Sequence, residues 1–195
     1  MLPGFNKAKN IVNSIYHDAD VQMKAIPKIC TKGCAYCCCQ IPTIHETEET
    51  LISDYIENRI SAGDKDYCRE KVNQWLDYFM AHTPDKALTT PDIIELEKLV
   101  SRERIPCPFL KDSLCLIYKV RPIACRAFSV NDNKKLCEQK PNRNCDQKVY
   151  DIRSYLISRL KLETGFVGFR PLTYAVLEPL GIKRELRTLA RPRLF

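Results

Sequence analysis

Ten of the chain's eleven cysteines fall into two groups. Cys30, Cys34, Cys37, Cys38 and Cys39 form the first; Cys107, Cys115, Cys125, Cys137 and Cys145 form the second. Cys68 stands apart. A thiolate is the softest donor a protein owns, so two such groups imply a soft metal ion or an iron–sulfur cluster. The competing use of cysteine, a disulfide framework, needs an oxidising compartment. The opening stretch MLPGFNKAKN has no apolar run of the kind a signal peptide needs, and an odd count leaves one thiol over. Metal ligation in a cytoplasmic protein is therefore the expectation.

Helical spacing ranks the first group. At about 100° per residue, with Cys30 as zero, Cys34 lies near +40°, Cys37 near −20°, Cys38 near +80° and Cys39 near 180°. Cys30, Cys34 and Cys37 then share one stripe, Cys38 sits at its edge, and Cys39 faces away as a small hydrophobe. A break at Gly33 would change these angles. Adjacent cysteines strain a single tetrahedral site, so ligation by both Cys37 and Cys38 would favour a multinuclear centre or two neighbouring sites.

The second group is set in a distinctive frame: Cys107-Pro108-Phe109-Leu110, then Cys115-Leu116-Ile117-Tyr118, then Arg121-Pro122-Ile123-Ala124-Cys125-Arg126-Ala127-Phe128. Several thiolates concentrate negative charge and need nearby cations and N–H donors. Arg121 and Arg126 bracket Cys125 and offer both; their alternative is pairing with Asp or Glu elsewhere. Pro108 and Pro122 stiffen the loops. Phe109, Leu110, Ile117, Tyr118 and Phe128 supply a dry shell.

Together the two segments resemble the CxxCxxCC cysteine-cluster family, the YkgJ-type zinc- or iron-chelating domain, over roughly residues 30 to 137. The x3 spacing after Cys30 and the extra Cys39 depart from that pattern. The resemblance implies a zinc ion or an iron–sulfur cluster, of the 4Fe–4S kind, held by Cys30, Cys34, Cys37, Cys38, Cys107, Cys115, Cys125 and Cys137, with Cys145 as a substitute for the last. Some members of that family are described as iron–sulfur oxidoreductases, and a related branch is linked to flagellin lysine methylation.

The stretch Cys30-Thr31-Lys32-Gly33-Cys34-Ala35-Tyr36-Cys37 is also similar to the CxxxCxΦC motif of radical S-adenosylmethionine enzymes. That fold is a β/α barrel with a glycine-rich cofactor segment, whereas this chain reads as helical and has only 6 glycines. Three function classes follow: a metal-binding protein acting as an iron–sulfur oxidoreductase or electron carrier, a cluster-dependent modifying enzyme, and a zinc-stapled adaptor without catalysis.

The elements that must position these residues are helical. Apolar residues recur at helical spacing over 7–19, 47–60, 65–80 and 146–162. Thr90 serves as an N-cap for a helix with Pro91 at its start. Pro171 opens a short helix stopped by Pro179-Leu180-Gly181, and a last helix runs from Ile182 to Leu189. No alternating strand run is present, and Asn131 to Lys148 reads as a loop. The expected fold is all-α, a single domain over residues 1–195, with a cysteine-cluster metal-binding region over 30–145.

A chain of 195 residues buries a real core, so metal is not required merely to make it fold. The net charge of +7 is concentrated in Lys183, Arg184, Arg187, Arg191 and Arg193. No nucleic-acid motif accompanies it, so a solvated helix face is expected; nucleic acid and membrane are not expected partners, while a redox or protein partner fits. Cys68 shares a helical face with Val72, Trp75 and Phe79 and reads as core. His45 beside Glu46, Glu48 and Glu49 suggests a mixed ligand site, but an acidic helix start explains it more simply.

Overall fold

The computed structural model describes residues 3–27, 30, 33–130, 133–139, 145–165 and 168–187. The all-α expectation holds: eight helices and two short two-stranded ribbons are described.

Helix α1 (Pro3–Lys24) buries Val12, Ile15, Tyr16, Ala19 and Met23, one face at i, i+3, i+4 and i+7 spacing. Helix α2 (Glu46–Arg59) and helix α7 (Gln147–Thr164) pack along it. Helix α3 (Ala62–Ala81) starts where Ser61 Oγ accepts the Asp64 amide at 3.1 Å, and it buries Cys68, Val72, Trp75, Leu76 and Phe79. Cys68 is fully buried, as its position on that face requires.

Helix α4 (Thr90–Glu103) is capped by Thr89, one residue before the expected Thr90. The Thr89 hydroxyl accepts the Asp92 amide and Asp92 accepts the Thr89 amide at 2.8 Å, a reciprocal cap.

The ribbons are the main departure. Strand β1 (Thr43–His45) pairs antiparallel with β4 (Phe169–Pro171). Strand β2 (Leu110–Lys111) pairs with β3 (Leu114–Cys115) through a tight turn in which Asp112 and Ser113 hold φ of 50° and 60°. Strands of two or three residues carry no readable alternation.

Helix α5 (Ile123–Arg126) follows Pro122 and bears Cys125. The expected loop between Asn131 and Lys148 contains helix α6 (Lys134–Gln139), which bears Cys137. Helix α8 (Leu172–Ala175) opens after Pro171 as expected.

The expected last helix is absent over residues 182–187; the remainder of that expectation lies outside the described residues, with Arg191 and Arg193. Gly181, at φ 65°, turns the chain out of the α8 segment. The chain then crosses α3, where Arg184 meets Asp77 at 2.8 Å and Arg187 meets Asp85 at 3.1 Å and the Met80 carbonyl at 3.1 Å. These arginines are tied down, not spread on a free helix face.

Candidate metal centre

The first cysteine segment is not one helix. Gly33 adopts φ +84°, a left-handed conformation that a side chain resists, and among the described residues of 30–39 only Tyr36–Cys39 coil, as a 3-10 turn. The uniform wheel expected over residues 30–39 therefore does not apply.

Backbone hydrogen bonds join the segments. The Cys107 amide donates to the Cys38 carbonyl at 2.7 Å, and the Leu110 amide donates to the Cys107 carbonyl at 2.9 Å. The β2–β3 turn sets Cys115 opposite Leu110. The Cys125 amide donates to the Pro122 carbonyl at 2.9 Å. Phe109 and Ile117 are buried behind these thiols.

The result is a cavity of about 1280 Å³ whose walls include Cys30, Cys34, Cys37, Cys38, Cys107, Cys115 and Cys125. Cys137 is not part of its wall, but it is an electrostatic neighbour of Cys30. Cys39, Cys68 and Cys145 do not line it.

The thiols perturb one another. The adjacent Cys38 thiol draws the Cys37 thiol down to about 7, and Arg121 adds a smaller pull the same way. The Cys37 thiol beside it, together with burial, pushes Cys38 up. Burial pushes Cys107 up to about 12. Cys125 opens to the cavity yet is enclosed by surrounding protein, and that desolvation raises it well above the usual thiol range.

The arginines take the alternative reading and pair with a carboxylate, Asp20. Arg126 is buried; its Nη1 donates to both oxygens of Asp20 at 2.8 and 2.7 Å, its Nη2 to the Lys119 carbonyl at 2.7 Å, and its guanidinium lies 4.3 Å over the Tyr16 ring. Arg121 lies 3.8 Å from Asp20 and also faces Cys37 and Cys115 closely enough to favour their thiolates.

Spacing did not reveal the buried carboxyl beneath the site. Glu48 accepts from the His45 amide at 2.9 Å, the Ile123 amide at 2.7 Å and the Tyr16 hydroxyl at 3.0 Å, fastening α2 to α5 and α1. Burial raises its pKa. A glutamate in an acidic first turn reads as surface, so no sequence signal marks it. Glu48 thus closes the helix start, in keeping with the simpler reading of the His45 region. His45 itself is buried and lines the cavity; its Nδ1 lies 3.1 Å from Thr47 Oγ1 and its Nε2 has no partner.

The donor set fits a soft metal in kind: thiols gathered in one enclosure, with cations beside them. It is not drawn to a point. Among the described residues, no three His, Cys, Asp or Glu stand close enough to hold one metal ion. Among those residues, too, no helix is long and apolar enough to cross a membrane.

No family model, curated protein or solved structure matches the chain, so the reading of this site rests on its own residues.

Proposed function

We propose that this chain is a cysteine-ligated metal protein of the YkgJ type, holding an iron–sulfur cluster or zinc, and that with iron it works as an electron carrier or oxidoreductase. One observation carries the reading. Seven of the eight cysteines singled out from the sequence line a single cavity, although they come from segments separated by three helices. A set of structural thiols has no reason to share one wall. Cys30, Cys34, Cys37, Cys38, Cys107, Cys115, Cys125 and Cys137 would hold the group. Bound iron–sulfur would supply one-electron chemistry; bound zinc would brace the loops.

The chain's own residues do the rest. Arg121 offsets thiolate charge, Asp20 holds both arginines, and Phe109 and Ile117 keep water from the rear of the site.

A cluster-dependent modifying enzyme is the second reading. The cavity extends past the thiols to walls formed by His17, Lys24, His45, Glu97, Arg153 and Phe169, more room than a cluster needs.

The test is purification without oxygen, an absorption spectrum from about 300 to 700 nm, and assays of iron, sulfide and zinc. Brown protein with matching iron and sulfide supports the redox form. Colourless protein with stoichiometric zinc removes redox chemistry. Protein with neither sinks the proposal.

A further inference from the structure

Part of the cavity wall is built without cysteine. Helix α1 contributes His17, Val21 and Lys24, and helix α7 contributes Arg153, Ile157 and Leu160, each set at i, i+4 and i+7 spacing on one helical face. The two helices pack along each other, and Arg159 of α7 fastens them by reaching Asp18 at 3.2 Å and Ser14 at 3.0 Å. The β1–β4 ribbon adds His45 and Phe169. None of these side chains belongs to the thiol set, so a metal held by the cysteines leaves this wall unexplained.

Its charges are uneven. Of the acids on the cavity wall, Asp20 is taken by Arg121 and Arg126, and Glu48 by three donors within the protein. Lys24 and Arg153 meet no carboxylate within 4.0 Å among the described residues. Glu97 lines the same cavity without closing an ion pair on either. Two cations therefore stand against one free carboxylate. His45 Nε2 is buried and also lacks a partner. Beside them the wall is apolar yet open: Val21 is 49% exposed and Phe169 43%. Of the eight large hydrophobics exposed among the described residues, four line this cavity, namely those two, Leu114 and Tyr118. Exposed apolar groups gathered on one cavity, next to unpaired cations, mark a binding site; singly scattered ones do not.

We propose that the α1–α7 wall binds a small organic anion, its carboxylate or phosphate held by Lys24 and Arg153 and its apolar body against Val21, Ile157 and Phe169. A guanidinium offers a planar pair of donors to either acid group, and a lysine ammonium adds a point charge. Enclosure strengthens both contacts, because charges shielded from water are screened less. A neutral ligand leaves both cations unanswered, and a cationic one meets two like charges. The inference goes beyond the metal reading and stands without it, since none of these residues is a thiol donor. A ligand bound here shares its enclosure with the thiols.

The experiment titrates the whole chain, purified without oxygen and again after chelation, with 8-anilinonaphthalene-1-sulfonate, an aromatic anion whose fluorescence rises in apolar surroundings. N-phenyl-1-naphthylamine, the same body without the acid, is the control. Lys24→Gln and Arg153→Gln are compared with Lys183→Gln, which lies outside the cavity wall, and far-ultraviolet circular dichroism reports folding. The expected result is one saturable site for the anion, weakened about tenfold in each cavity variant and unchanged in Lys183→Gln, with the neutral dye indifferent to all three. Displacement by benzoate or by phenyl phosphate then shows which acid group the site prefers. No saturable site, equal binding of the two dyes, undiminished anion binding in both cavity variants, or displacement by neither acid overturns the inference. Where Arg153→Gln does not fold, Lys24→Gln and Lys24→Glu, at an exposed position, are read as a graded pair. A chain that holds metal but not the anion strikes this inference alone; one that holds the anion but no metal strikes the functional proposal alone.

Discussion

The amide of Cys107 donates to the carbonyl of Cys38 at 2.7 Å, so the two cysteine segments are stitched by backbone and not by their thiols alone. The core behind them, from Ile15 and Ile52 to Phe79 and Leu156, is fully buried, with Cys107 and Cys115 packed against its edge. Removing metal with a chelator under reducing conditions should therefore leave the helical circular dichroism spectrum nearly unchanged. A coil spectrum after chelation would show that the metal, not the core, makes the fold.

His45 makes stability depend on pH. Burial lowers its pKa from 6.5 to about 4, so the fold prefers the neutral ring. The unfolded chain binds that proton first. The stability is present above pH 6.5 and is lost as pH falls toward 4, by up to about 3 kcal/mol. Glu48 runs the other way: burial raises its pKa from 4.5, so its contribution is present below that value and fades as pH rises. His45→Asn keeps a good helix cap and removes the His45 slope alone. Urea unfolding of both proteins at pH 5 and pH 7 measures it; equal slopes would refute the assignment.

Asp20 is the shared anchor of Arg121 and Arg126. Asp20→Ala leaves the buried Arg126 guanidinium without its carboxylate and should cost roughly 3 kcal/mol. Arg126→Met removes the charge as well and should cost less, because the half-exposed Asp20 is then solvated. Denaturant midpoints of the two variants decide this, and the reverse order would contradict it.

Cys39 and Cys68 lie off the cavity wall. Cys39→Ser and Cys68→Ser should both retain wild-type metal content. Cys68→Ser also places a hydroxyl among Val72, Trp75 and other buried apolar groups, at a cost of about 1–3 kcal/mol. Elemental analysis beside thermal melting separates these effects. Loss of metal in either variant would mean the wrong thiols have been set aside.

The long helices were legible because α1, α2, α3 and α7 repeat apolar residues over several turns, enough to outweigh local noise. Three features were not. The ribbons pair residues as distant as Ile44 and Arg170, and no local pattern encodes such a partnership. Helix α6 is polar enough to pass for a loop. Residues 182–187 look helical by composition, but the chain turns at Gly181 and its arginines are tied to α3 and the segment after it, and no helix forms over them. At the site, the eight cysteines singled out from the sequence include the seven that share a wall and one, Cys137, that does not line it. Their angles did not follow, because Gly33 breaks the segment and the turn after it is 3-10. Glu48 and Asp20 stayed hidden because a buried carboxylate differs from a surface one only by its tertiary partners.

The most direct test of the central claim is native mass spectrometry of the chain purified without oxygen. The polypeptide accounts for 22.6 kDa. Metal binding predicts a folded species heavier than this by bound metal, with sulfide if iron is present, that reverts to the bare polypeptide mass in acid. A folded species already at the bare polypeptide mass would contradict it.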